Sequence, residues 1–148
     1  MKLKKIKYRE YRDSFHEALK VEKLKLTPQR LEIFKDAVFG KEHRSCDEIC
    51  TSLKSNSIEV SRATVYRTLD ILIKHNFIRK MNIGEGRDIY ESKIDRPHHD
   101  HMICIETGDI IEFYNEQLED LQDEIAKKHG YEIIKHIHQL FVKPIKND

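Results

Sequence analysis

Residues 61–91, SRATVYRTLDILIKHNFIRKMNIGEGRDIYE, decide the fold of the first part of this chain. Ser61 is a good helix cap, and over residues 62–75 the apolar side chains Val65, Leu69, Leu72 and Ile73 recur at helical spacing. Arg62, Tyr66 and Arg67 are left on the outer face. Asn76 suits the helix end. Residues 77–83 and 87–91 then read as two short strands around Gly84-Glu85-Gly86, a turn fit for a hairpin.

Three more helices are predicted upstream. Tyr8, Tyr11, Phe15, Ala18, Leu19 and Glu22 place an amphipathic first helix over 7–23. Thr27-Pro28 supplies a cap and a first-turn proline for a second, running through Leu31, Phe34 and Val38 and stopped by Gly40. Ser45-Cys46-Asp47-Glu48 is a capping box that opens a third, with Ile49, Cys50 and Leu53 on its inner face. Three helices followed by a basic hairpin make a winged helix.

That frame gives its basic residues a purpose. A helix in the major groove needs groups that bridge to phosphates and groups that touch base edges, and Ser61, Arg62, Thr64, Tyr66 and Arg67 supply both. Lys25, ahead of the second helix, and Arg79, Lys80 and Arg87 on the wing are placed to follow the backbone or enter a minor groove. A solvated basic face explains any one of them alone. Together on this frame they point to double-stranded DNA.

The second half opens on His98-His99-Asp100-His101. Neighbours on an extended strand point to opposite faces, so His98 and Asp100 share one side and His99 and His101 the other. Imidazole and carboxylate are ligands for divalent iron, zinc, manganese or cobalt, and two such pairs suggest two neighbouring metal sites completed by distant residues. Histidine runs also occur as solvated loop clusters. Here, though, Pro97 precedes a strand-like run, 102–105, and Thr107-Gly108-Asp109 turns into a second, 110–114. Asn115 then caps a helix carrying Leu118, Leu121, Ile125 and Ala126 that ends at Gly130, and a last strand is expected over 131–142.

The chain has 148 residues, 36% of them charged, with a net charge of +1. Residues 1–92 hold 20 Lys and Arg against 14 Asp and Glu, whereas residues 93–148 hold 7 against 12 and six of the nine histidines. A basic half for a polyanion and an acidic, histidine-rich half for cations follow from that split. No run of about 18 apolar residues is present for a membrane span, and the basic start lacks the apolar segment of a signal peptide. A cytoplasmic protein is expected, and three cysteines argue against a disulfide framework. The expected organisation is α+β: a winged-helix DNA-binding domain over 1–92, a hinge at 93–97, and a small α/β dimerisation domain with an antiparallel sheet over 98–148. About 50 residues with one helix leave an edge and an apolar face hard to bury alone, so a homodimer is expected through that half. Two winged heads can then read the half-sites of a palindrome.

These residues together resemble the ferric uptake regulator family of bacterial metal-dependent repressors, across roughly Leu24 to Val142. The matching stretches are Leu26-Thr27-Pro28-Gln29-Arg30, Ala63-Thr64-Val65-Tyr66-Arg67-Thr68-Leu69, His98-His99-Asp100-His101 with Cys104, Ile111-Glu112-Phe113, and Gly130-Tyr131 with His136. The resemblance implies a dimer and a palindromic A/T-rich operator. It also implies a regulatory metal site of His43, Glu91, His99, His101 and Glu112, and a second site of His98, Asp100, Glu119 and His136. Iron(II) is the metal it favours in the cell, with zinc(II) or manganese(II) as alternatives. Glu91, Glu112 and Arg67 stand where peroxide sensors of the family tend to have aspartate, aspartate and asparagine, which favours an iron-type regulator over a peroxide sensor, with a peroxide-, zinc- or manganese-responsive regulator of the same family as the alternative.

The chain departs from the family pattern at its cysteines. The paired Cys-x-x-Cys motifs of the family's structural zinc are missing, so no four-cysteine zinc site is expected. Cys46 and Cys50, one helical turn apart, read as packing residues. A histidine and carboxylate metalloenzyme is the rival of another class, but it needs a substrate pocket and an open coordination position that no motif supplies.

Overall fold

A computed structural model describes residues 2–146, with side chains from residue 7 onward. The chain divides into two compact units, parting between Arg96 and Pro97.

The first unit holds α1 (Lys2–Val21), α2 (Pro28–Phe39), α3 (Cys46–Ser55), α4 (Arg62–Lys74), β1 (Ile78–Asn82) and β2 (Asp88–Ser92). Each of the last three helices starts where its cap requires. Thr27 accepts from the Arg30 amide, Ser45 and Glu48 form a reciprocal capping box, and Ser61 accepts from the Thr64 amide, so donors that the helix cannot satisfy itself find partners. The first helix begins five residues before its expected start, at Lys2. It ends two residues early, because Lys23 turns to a φ of 58° and the Leu24 amide closes back on the Leu19 carbonyl at 2.8 Å.

An aromatic cluster binds these helices. Phe15 and Phe34, both fully buried, stack with ring centroids 4.8 Å apart, and Phe77 meets both edge-on at 6.0 and 5.8 Å. Val65, Leu69 and Leu72 of α4 are fully buried beside them, while Ile71 takes the buried place expected of Ile73, which packs only partly. The wing is an antiparallel hairpin whose register sets Arg79 opposite Glu91 and Lys80 opposite Tyr90. Residues 93–96 stay tied to this unit. The Lys93 amide donates to the Phe77 carbonyl, Asp95 pairs with Lys7 at 2.7 Å, and Arg96 pairs with Glu42 at 3.3 Å.

The second unit contains β3 (Asp100–Cys104), β4 (Ile110–Phe113), α5 (Glu116–Lys128) and β5 (Gln139–Val142), with strand order β4-β3-β5. Two expectations are corrected here. The sheet is mixed rather than antiparallel, since β4 pairs antiparallel with β3 but β5 pairs parallel with it on the far edge, after the α5 crossover. The last strand is also only four residues long, not twelve. Residues 131–138 are rich in strand-forming Ile and Tyr but, among the described residues, join no ladder beyond the His138 carbonyl, and strand propensity is expressed only through pairing. This unit is thinly packed. No α5 residue is buried, and Leu121, Ile125, Ile111, Leu140 and Phe141 are all exposed.

Phe34→Ala removes the centre of the aromatic cluster, and urea unfolding should show a loss of about 3–5 kcal/mol, typical of an emptied core phenylalanine site. A loss under about 1 kcal/mol would contradict the packing described.

Candidate metal centres and nucleic-acid interface

Four of the expected ligands meet in the second unit. His98 and Asp100 come from the approach to β3 and its first residue, Glu119 from the first turn of α5, and His136 from the irregular stretch before β5. Among the described residues, their ligand atoms all lie within 4.8 Å of one another. His136 Nε2 stands 3.2 Å from Asp100 Oδ1 and 3.7 Å from Glu119 Oε1, and His98 Nε2 stands 3.5 and 3.3 Å from the same two oxygens. Ligand atoms about 2.1 Å from a tetrahedral ion are separated by roughly 3.4 Å. The four distances bracket that value.

A second observation supports the fit. Asp100 is 2% exposed, and its Oδ2 is buried with no hydrogen-bond partner. A buried carboxylate oxygen without a donor is costly, and a cation is the partner that compensates it. The donor set, two imidazoles and two carboxylates with no thiolate, suits borderline divalent metals.

The other expected set draws on both units, and each part has its own geometry. In the first unit, His43 Nε2 lies 3.1 Å from Glu91 Oε1, and Glu91 is only 1% exposed. The segment bearing His43 is stitched to β2. The Tyr90 amide donates to the Arg44 carbonyl at 2.8 Å, and the Ser92 amide to Glu42 Oε2 at 2.9 Å. Between these anchors His43 adopts a φ of 58°, a left-handed conformation that non-glycine residues rarely take and that often marks functional positions. In the second unit, His99 Nε2 lies 3.5 Å from Glu112 Oε1, and the His99 and His101 rings are 4.8 Å apart. His101 and Glu112 are direct cross-strand neighbours. The alternation expected of the histidine run is present, His98 meeting Asp100 and His99 meeting His101.

On the nucleic-acid side, Lys25, Ser61, Arg62, Tyr66 and Arg67 are exposed and Thr64 is partly so. Arg62 lies over the Tyr66 ring, 5.4 Å from its centroid, and pairs with Asp47. Tyr66, Lys80 and Arg87 line one groove between α4 and the wing. Arg79 is the exception. Strand alternation turns it to the face opposite Lys80, and its Nε donates to Glu91 Oε2 at 2.6 Å. The guanidinium expected beside Lys80 and Arg87 thus pairs with Glu91 on the neighbouring strand.

Sequence reading missed that contact, along with Arg96, whose Nη2 lies 3.6 Å from Glu91 Oε1. The signal was available in part, because a three-residue turn at 84–86 already fixes Arg79 opposite Glu91. Cys46 and Cys50 are packing residues as expected. Cys46 is 4% exposed, and burial, reinforced by the neighbouring Cys50, pushes its thiol up to about 12, so it is not a ready thiolate ligand.

A winged helix followed by a small mixed-sheet unit rich in clustered histidine and carboxylate ligands defines a class, the metal-responsive transcriptional regulators. The chain belongs to the ferric uptake regulator family, whose sequence profile matches residues 21–141. It is 34% identical over 143 residues to the ferric uptake regulation protein of Campylobacter jejuni, covering 95% of this chain and 90% of that one. The solved Helicobacter pylori ferric uptake regulator, reported to have three functional metal binding sites, is 32% identical with a TM-score of 0.84. That match covers 92% of this chain and 90% of the other. The Francisella tularensis ferric uptake regulator, solved with iron, is 33% identical with a TM-score of 0.75, covering 82% and 92%.

His136→Ala should lower bound metal by one equivalent per chain in equilibrium dialysis followed by elemental analysis. An unchanged stoichiometry would remove His136 from the ligand set.

Proposed function

We propose that this protein is an iron-responsive repressor of metal-homeostasis genes that binds its operator only when its regulatory site is loaded. The observation that carries the reading is the division of ligands. Glu91 and His43 in the first unit, and His99, His101 and Glu112 in the second, are each too few to close a metal site alone. A bound divalent ion supplies one positive centre that both sets can ligate. Ligation by both sets selects one arrangement of the units by differential affinity, and the heads then keep a fixed separation. Residues 93–97 are the hinge between a DNA-binding domain of 1–92 and a dimerisation domain of 98–148. His98, Asp100, Glu119 and His136 form a second metal site within the latter.

The exposed apolar side chains of α5, β4 and β5 support a homodimer formed through the second unit, since contiguous apolar surface of this kind marks an interface. A two-fold dimer presents two α4 helices to a palindromic, A/T-rich operator. Ser61, Arg62, Thr64, Tyr66 and Arg67 face the major groove, and Lys25, Arg79, Lys80 and Arg87 follow the backbone or enter a minor groove. The role is regulatory rather than catalytic. Among the described residues no helix is long and apolar enough to cross a membrane, which is consistent with work in the cytoplasm. Intrinsic affinity runs from manganese(II) through iron(II) toward zinc(II), so iron(II) takes precedence over zinc(II) by cellular supply.

The direct test is operator retention with chelator and then with iron(II), manganese(II) or zinc(II). Binding should require metal, and metal-independent binding would overturn the switch. His101→Ala or Glu112→Ala should abolish metal-dependent operator binding while sedimentation still shows a dimer. Native operator affinity in either variant would refute the assignment. Arg67→Ala should weaken operator binding by about 1–3 kcal/mol with metal affinity preserved, and normal DNA binding would remove Arg67 from the interface.

A further inference from the structure

Glu91 is already held by cations of the protein's own. Its Oε2 takes the Arg79 Nε at 2.6 Å and the same guanidinium's Nη2 at 2.5 Å. Its Oε1 faces His43 Nε2 at 3.1 Å and Arg96 Nη2 at 3.6 Å. At 1% exposure, water cannot stand in for these partners. Two guanidinium groups thus neutralise a carboxylate that would otherwise be a costly buried charge.

We propose that Arg79 is a built-in competitor for the regulatory metal: its guanidinium occupies the Glu91 carboxylate in the unloaded protein and must yield when Glu91 ligates a divalent ion. This rests on Glu91 being a ligand, as argued above. Charge and geometry both carry it. A guanidinium fork on Oε2 and a dication ligated by the same carboxylate stand within a few ångströms of each other and repel, in surroundings that screen poorly. Arg79 can leave, because its side chain is 39% exposed and sits on a long flexible stem. His43, at 3.1 Å, is a ligand partner rather than a fixed positive charge.

Arg79 accordingly does two things. In the unloaded protein it stabilises the wing by neutralising Glu91 from the opposite strand. During loading it raises the metal concentration at which the regulatory site fills. The sensing threshold is then set by a residue that is not itself a ligand.

The test is metal affinity measured without DNA, by manganese(II) titration against a competing chelator, in full-length protein carrying His136→Ala to silence the second site. Arg79→Gln, which keeps a hydrogen-bond donor but removes the charge, should tighten binding by about tenfold. Arg79→Lys, which keeps the charge, should stay within about twofold of the native residue. Thermal melts should show Arg79→Gln lowering the Tm of the metal-free protein more than that of the loaded protein. A purely structural Arg79 would leave affinity unchanged or weaken it, and either result with Arg79→Gln overturns the proposal. Glu91→Gln separates the two levels. It should weaken binding and erase the effect of Arg79→Gln. If Glu91→Gln alone binds metal normally, Glu91 is not a ligand and the regulatory site itself has been misassigned. If it weakens binding while Arg79→Gln does nothing, only the competitor role fails.

Discussion

Carboxylates carried almost out of water set the terms for this molecule. Glu91 and Asp100 are 1% and 2% exposed, and an ionised carboxylate in such surroundings is tolerable only beside positive charge or a full set of donors. The two sites solve the problem differently. Glu91 borrows guanidinium groups from Arg79 and Arg96. Asp100 is left with one oxygen without a hydrogen bond, flanked by two imidazoles and a second carboxylate. A divalent cation at the proposed sites would satisfy both.

The rest of the architecture serves that chemistry. The first unit is packed around stacked phenylalanines, a buried core that holds α4 and the wing together. Its proposed ligand His43 is fixed to the wing, through the anchors from Glu42 and Arg44 to β2. The second unit is the reverse. It has a three-stranded sheet, a helix with no buried residue and a broad apolar exterior, so little of its apolar surface is covered by its own core. The proposed second metal site and the proposed pairing surface both lie in this thinly packed part of the chain.

Much of this was legible in the sequence, because it is written in local chemistry. The caps at Thr27, Ser45, Ser61 and Asn115 each accept from the amide three residues on, and short-range hydrogen bonds of this kind need no tertiary knowledge. The alternation of His98 to His101 sorted its side chains onto two faces for the same reason. Non-local pairing was harder to read. The 131–138 stretch looks like a strand by composition but joins no ladder among the described residues beyond the His138 carbonyl, which accepts from the His101 amide, and whether β5 joins β3 parallel or antiparallel depends on where α5 delivers it. The Arg79–Glu91 pair is of the same kind: strand period two puts Arg79 and Lys80 on opposite faces, but only the register of the wing names the partner.

The central claim is that one ion is ligated by both units at once. Anomalous diffraction at the metal edge, from crystals of metal-loaded protein, tests it directly. The account predicts a peak with His43 and Glu91 on one side and His99, His101 and Glu112 on the other. Peaks that in every loaded crystal lie only among residues of a single unit, with His43 and Glu91 remote, would contradict it.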